Sequence, residues 1–123
     1  IAYETILTAF AKGEVKKLKS LLTSTMNENF SSAIEARNKE NIKSEFTFIG
    51  IKESSVEKYE KVKDDLFANV KFVAEVISVK KDKDNNVIEG SPDKIKFVTD
   101  TWKFTKNIKN NGPNWYLAEI IGQ

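Results

Sequence analysis

The chain has 123 residues, 40% hydrophobic and 31% charged, the composition of one folded domain over 1–123 rather than of a disordered chain. It contains neither cysteine nor histidine, which excludes disulfides, thiol nucleophiles, zinc-thiolate sites and every Ser-His or Cys-His catalytic arrangement. A net charge of +2, carried by nineteen lysines and the single arginine Arg37 against interleaved acids, is too small and too dispersed for a nucleic-acid surface.

Ile6, Leu7, Phe10 and Ala11, with Ile1 or Tyr3 a turn earlier, recur at helical spacing and predict a first amphipathic helix ended by Gly13. Val15, Leu18, Leu21 and Leu22 predict a short second helix, and Lys12, Lys16 and Lys19 form a basic face beside it. The Thr23-Ser24-Thr25 cluster predicts the cap of a third helix, with Thr25 and Glu28 spaced as a capping box. That helix buries Met26, Phe30, Ala33, Ile34 and the stem of Arg37, then dissolves into Asn38-Lys39-Glu40-Asn41.

From Ile42 the period changes to two. Phe46 and Phe48 are expected on one face, Ile49 and Ile51 on the other, with Gly50 marking a bulge or bend. Val56, Tyr59 and Val62 fit a helical turn or an edge strand, and the strands around them favour the strand. A long strand from Leu66 to Lys80 places Leu66, Ala68, Val70, Phe72, Ala74 and Val76 on one face. Its reverse face carries Phe67, Val73, Ile77 and Val79, more apolar surface than a solvated sheet face usually shows. These four are therefore expected to be covered by another chain, as in a homodimer through the sheet, or by a segment ahead of Ile1. Asp84-Asn85-Asn86 marks a turn. Strands from Ile95 to Ile108 and from Trp115 to Ile121 follow, joined by a turn of Asn110, Asn111, Gly112 and Pro113.

Helices first and a meander of long strands after them predict an α+β fold, with N-terminal helices packed on one face of a curved antiparallel sheet. Phe30, Ile34, Phe72, Val76, Trp102, Phe104, Trp115 and Leu117 are expected in the layer between helices and sheet, as plain core or as the lining of an apolar pocket. Asp100 shares the strand face of Val98, Trp102 and Phe104, so its carboxylate points into that layer. Unpaired burial is costly, and a lysine, a tyrosine hydroxyl or a wet cavity is expected beside it. No histidine, second acid or metal cluster accompanies it, so no catalytic residue, metal site or cofactor is assigned.

One shape that meets this description is the cone-like fold of nuclear transport factor two and the ketosteroid isomerases. The ordered set Ala2-Tyr3-Glu4-x-Ile6-x-x-Ala9-Phe10-Ala11-x-Gly13, Leu18-Lys19-x-Leu21-Leu22, Phe46-Thr47-x-Ile49-Gly50-Ile51, Ile88-Glu89-Gly90-x-Pro92, Asp100-x-Trp102-x-Phe104 and Asn114-Trp115-x-Leu117 resembles the C-terminal domain of subunit forty-four of the mitochondrial inner-membrane translocase, and its bacterial members most of all. The resemblance implies a non-enzymatic adaptor related to protein transport. It implies peripheral location at the inner membrane, on the cytoplasmic face in bacteria or the matrix face in mitochondria. Implied partners are an anionic, cardiolipin-rich membrane surface and membrane or translocase proteins; Lys12, Lys16 and Lys19 are candidates to face that membrane, or are simply a solvated helix face. Family domains have further helical residues ahead of the position matched by Ile1, so truncation at the N-terminus is expected. The alternative is a binder of small apolar ligands, or an isomerase-like domain of the same fold with Asp100 as general base.

Overall fold

Three helices precede five strands in chain order, as a computed structural model shows for residues 2–122 apart from 111 and 113. Helix α1 (Ala2–Lys12) buries Tyr3, Ile6 and Ala9, one stripe at three-residue spacing. It stops at Gly13, whose φ of 75° is the left-handed conformation glycine adopts without a Cβ penalty. The Glu14 N–H reaching back to the Ala9 carbonyl at 2.9 Å closes that end.

Helix α2 (Val15–Lys19) is shorter than predicted. Leu21 and Leu22 leave the helix because the chain there serves the sheet instead. The Leu21 carbonyl accepts from Leu117 N–H at 2.9 Å, and Thr23 N–H donates to the Leu117 carbonyl at 3.0 Å. Helix α3 (Ser24–Lys39) is capped by Thr23, whose hydroxyl accepts from Met26 N–H at 3.4 Å. The expected Thr25–Glu28 capping box is therefore overturned: Thr25 already lies inside the first turn. The helix also outlasts its expected end, running through Asn38 and Lys39 before Asn41 takes a φ of 57°. Met26 and Ile34 are buried and Phe30 and Arg37 half-buried, whereas Ala33 is exposed.

The antiparallel sheet has the order β1 (Lys43–Val62), β2 (Asp65–Lys81), β4 (Lys96–Asn107), β5 (Tyr116–Gly122), with the short β3 (Val87–Gly90) paired to the end of β2. The sequence predicts no strand at β3; all four of its residues are exposed, so no alternation of burial marks it. In β1 the register against β2 slips at three places, between Phe48 and Gly50, Ile51 and Glu53, and Val56 and Lys58. Each extra residue bends the strand and deepens the curvature of the sheet. The first slip confirms the bulge expected at Gly50 but overturns the shared face of Ile49 and Ile51. Ile49 is the extra residue and lies exposed, while Ile51 returns to face Ala74 and packs on the core.

The core lies between helices and sheet. Tyr3, Ile6, Leu18, Leu22 and Met26 meet Phe72, Ala74, Trp102, Phe104 and Leu117 there. On the reverse face Phe67, Val73 and Ile77 are half-buried, and the Lys103 ammonium lies 5.1 Å from the Phe67 ring centre. Val79 is only 2% exposed, so it offers nothing to a second chain and the open part of that face is smaller than expected.

Candidate functional site

Tyr3 is the hub of the interior, although on sequence it is merely one apolar position of α1. Its ring stacks on Phe72 at 4.1 Å between centroids and meets Trp102 edge-on at 4.6 Å. Its hydroxyl donates to Asp100 Oδ2 at 2.6 Å, a buried bond across 97 residues of sequence. This is the tyrosine partner expected for Asp100. Loss of solvation raises the Asp100 pKa, and the bond from Tyr3 opposes part of that rise. Burial first, and then the hydrogen bond and charge of Asp100, push the Tyr3 hydroxyl far above its ordinary value. The Tyr3 phenol thus donates to a carboxyl group whose ionised form burial disfavours.

Asp100 and Trp102 project from the same face of β4 into a cavity of about 510 Å³ between α1, α3 and the sheet. Ile6, Leu7 and Phe10 of α1 and Met26 and Phe30 of α3 form its apolar walls. Phe10 and Phe30 pack at 5.0 Å between ring centres. Arg37 holds this corner from outside: its guanidinium donates to the Phe10 carbonyl at 2.9 Å and lies 5.3 Å from the Phe10 ring centre. The Trp102 indole N–H is buried and has no acceptor among the described residues, a polar deficit worth about 1–3 kcal/mol if nothing fills it. Glu119, exposed, brings a second carboxylate to the lining that the sequence reading did not connect with Asp100.

A second cavity, of about 400 Å³, opens on the other side of Tyr3 and is lined by Val56, Tyr59, Phe72, Phe104 and Trp115 among others. The nine residues expected in one layer are thereby divided. Phe30, Asp100 and Trp102 line the first cavity and Phe72, Phe104 and Trp115 the second, whereas Ile34, Val76 and Leu117 line neither and are packed interior. Leu7, Phe10 and Met26 were read only as helix core, because periodicity identifies a buried stripe without telling a filled interior from a hollow one.

The basic residues Lys12, Lys16 and Lys19 are all exposed, as is Lys17 between them. No cluster of side chains among the described residues could hold a metal ion. None of the described helices is long and apolar enough to cross a membrane.

No curated protein matches the chain. Among solved structures it is similar to the intermembrane space region of the chloroplast protein ARC6, at 12% identity and a TM-score of 0.57 over 98% of this chain and 95% of that one, a likeness of fold. That fold is the cone-like, nuclear transport factor two type, with helices on a curved, unclosed sheet. The family model of the Tim44-like domain matches residues 1–122. Tim44-like domains are generally non-enzymatic and peripheral to the inner membrane, with a role related to protein transport. With almost its whole length matched, the chain belongs to the Tim44-like domain family.

Proposed function

We propose that this domain is a non-enzymatic adaptor that binds anionic, cardiolipin-rich membrane peripherally and presents its remaining surface to membrane or translocase proteins. The observation that carries this reading is the cluster of Lys12, Lys16, Lys17 and Lys19 at the end of α1 and along α2. All four are exposed, and none forms an ion pair among the described residues. Unpaired ammonium groups on one short segment are attracted to anionic headgroups by about 1 kcal/mol each near the surface, screened over about 8–10 Å at moderate salt. The membrane face it binds would be the cytoplasmic one in a bacterium and the matrix one in a mitochondrion. Cosedimentation with cardiolipin-containing vesicles tests this: binding should fall with salt and with reversal of Lys12, Lys16 and Lys19 to glutamate, while reversal of Lys80, Lys81 and Lys83 leaves it unchanged. Absence of binding at low salt and high cardiolipin refutes the reading.

A second reading is favoured by the unpartnered Trp102 N–H and the buried Asp100 in the wall of the first cavity. A small apolar ligand carrying one polar group would fill that space and meet both. Titration of the intrinsic tryptophan fluorescence with neutral and anionic long-chain amphiphiles tests it. Saturable quenching that is lost in Phe30→Trp, which narrows the cavity, supports the ligand site, and unsaturable quenching refutes it.

A further inference from the structure

We propose that a third cavity, between α1, the C-terminal half of α3 and the paired ends of β1 and β2, binds an alkyl monocarboxylate with Arg37 as its counter-ion. The cavity has a volume of about 510 Å³, within the range of sites that enclose small ligands. Leu7 and Phe10 of α1, with Ile42 and Phe46 at the start of the sheet, give it apolar walls.

Its polar groups follow from the strand register. Phe48 packs on the core, and strand alternation puts Phe46 and Ser44 on the same helix-facing side. Ser78 lies opposite Phe46 and Lys80 opposite Ser44, so these two share that side. The face that is apolar beneath Tyr3 thus becomes polar at this end. Arg37 enters from α3, half-buried, and spends one N–H donor on the Phe10 carbonyl at 2.9 Å while the rest of its fork stays open. No ion pair among the described residues includes it. Loss of solvation lowers its pKa, the mark of a cation held away from water, and such charges are stabilised by an opposite one. The other charges of the lining do not supply or compete for that partner. Glu40 is exposed and makes no ion pair with Arg37, and Lys80 is engaged by Glu89 at 3.0 Å. One uncompensated cation calls for one negative charge. The planar guanidinium matches a carboxylate, and an alkyl chain matches the walls. The first cavity shares Leu7, Phe10 and Ala33 with this one but selects differently, because its ionisable groups, Asp100 and Glu119, offer an anion no partner.

Calorimetric titration of the unaltered chain with decanoate, decanol, decylamine and decyl phosphate, each below its micellar concentration, tests the site. Decanoate should bind in one equivalent with a Kd of about 10–100 µM, and the other three more weakly by roughly tenfold or more. Arg37→Gln, which keeps a donor for the Phe10 carbonyl, should weaken decanoate by roughly 10- to 100-fold and leave decanol unchanged. Ser78→Leu projects a larger apolar group into the space and should abolish decanoate binding in a chain whose amide spectrum remains that of a folded protein. Amide shifts induced by decanoate should centre on Ile42, Ser44 and Ser78 rather than on Asp100 and Glu119. The headgroup comparison uses the unaltered chain, so it decides the matter even if Arg37→Gln unfolds. The proposal is overturned if decanoate does not bind at about 1 mM, if any of the other three binds as tightly, if folded Arg37→Gln or Ser78→Leu binds decanoate as the parent does, or if the shifts centre on Asp100.

Discussion

Replacing Tyr3 with phenylalanine isolates Asp100, the one buried carboxyl group among the described residues. The ring and its stacking on Phe72 survive, and only the hydroxyl that donates to Asp100 at 2.6 Å is lost. A hydrogen bond to a charged group contributes about 1.5–3 kcal/mol, and the carboxylate left behind, 9% exposed, is not rehydrated by the change. The expected loss is about 2–3 kcal/mol at neutral pH. Its pH dependence follows from the same bond. Burial already holds the Asp100 pKa above its ordinary 3.8, so the stability linked to its protonation is fully present below that value and is lost as pH rises through the folded-state pKa. Without the hydroxyl the folded pKa rises further. The gap between variant and parent should therefore widen as pH rises from 3.8 into the neutral range and narrow on acidification, and in an Asp100→Asn background this dependence should disappear. Urea melts across that range measure it. A loss under about 0.5 kcal/mol at neutral pH, or one that is the same at every pH, refutes the reasoning.

Trp102→Ala removes a ring 2% exposed and packed against Tyr3, Phe72 and Phe104; it should cost about 3–5 kcal/mol in urea melts. Gly90→Ala drives a Cβ into the Ser78 carbonyl oxygen at a φ of 81°, so β3 should detach from β2, with faster amide exchange confined to that pair. Thr23→Ala removes the α3 cap and should cost about 1 kcal/mol in the same melts. On the alkaline side, the raised Tyr3 pKa predicts stability that is full below the ordinary value of 10.0 and falls above it, a loss absent from Tyr3→Phe.

Much of this architecture is legible because its large elements follow simple periods. Val70, Phe72 and Ala74 of β2 and the Asp100-Trp102-Phe104 series of β4 face the helices as alternation requires. What escaped is whatever depends on an extra residue or a distant partner. Ile49 and Ile51 keep strict alternation on paper, and only the inserted residue against Val76 and Glu75 separates them. Leu21 and Leu22 have helical spacing with Leu18, yet the main-chain bonds to Leu117 draw them out of α2. Thr23 and Thr25 are equivalent caps by composition, and the bridge of Leu22 to Leu117 fixes where the chain enters α3. Asp100 announced a need for a partner without identifying it, since Tyr3 is brought near only by the finished sheet. Of the turn proposed for Asn110 to Pro113, Asn111 and Pro113 lie outside the described residues, as does Ile1.

The ties of the first helices to the last strands, Tyr3 to Asp100 and Leu21 and Thr23 to Leu117, have a consequence for biosynthesis. At about 5–20 residues per second, the ribosome takes roughly 5–20 s to make the 97 positions that separate Tyr3 from Asp100. Until β1 and β2 are made α1 has no strand to cover, and until β4 and β5 follow them the pair of sheet strands lacks Trp102, Phe104 and Leu117, so Ile6, Leu18 and Leu22 stay partly open to water or to any passing hydrophobic surface. Helices this short are marginal by themselves. The nascent chain therefore waits with an incomplete core until β4 and β5 emerge, a window in which a holding chaperone can bear on its yield as the stability of the finished domain cannot.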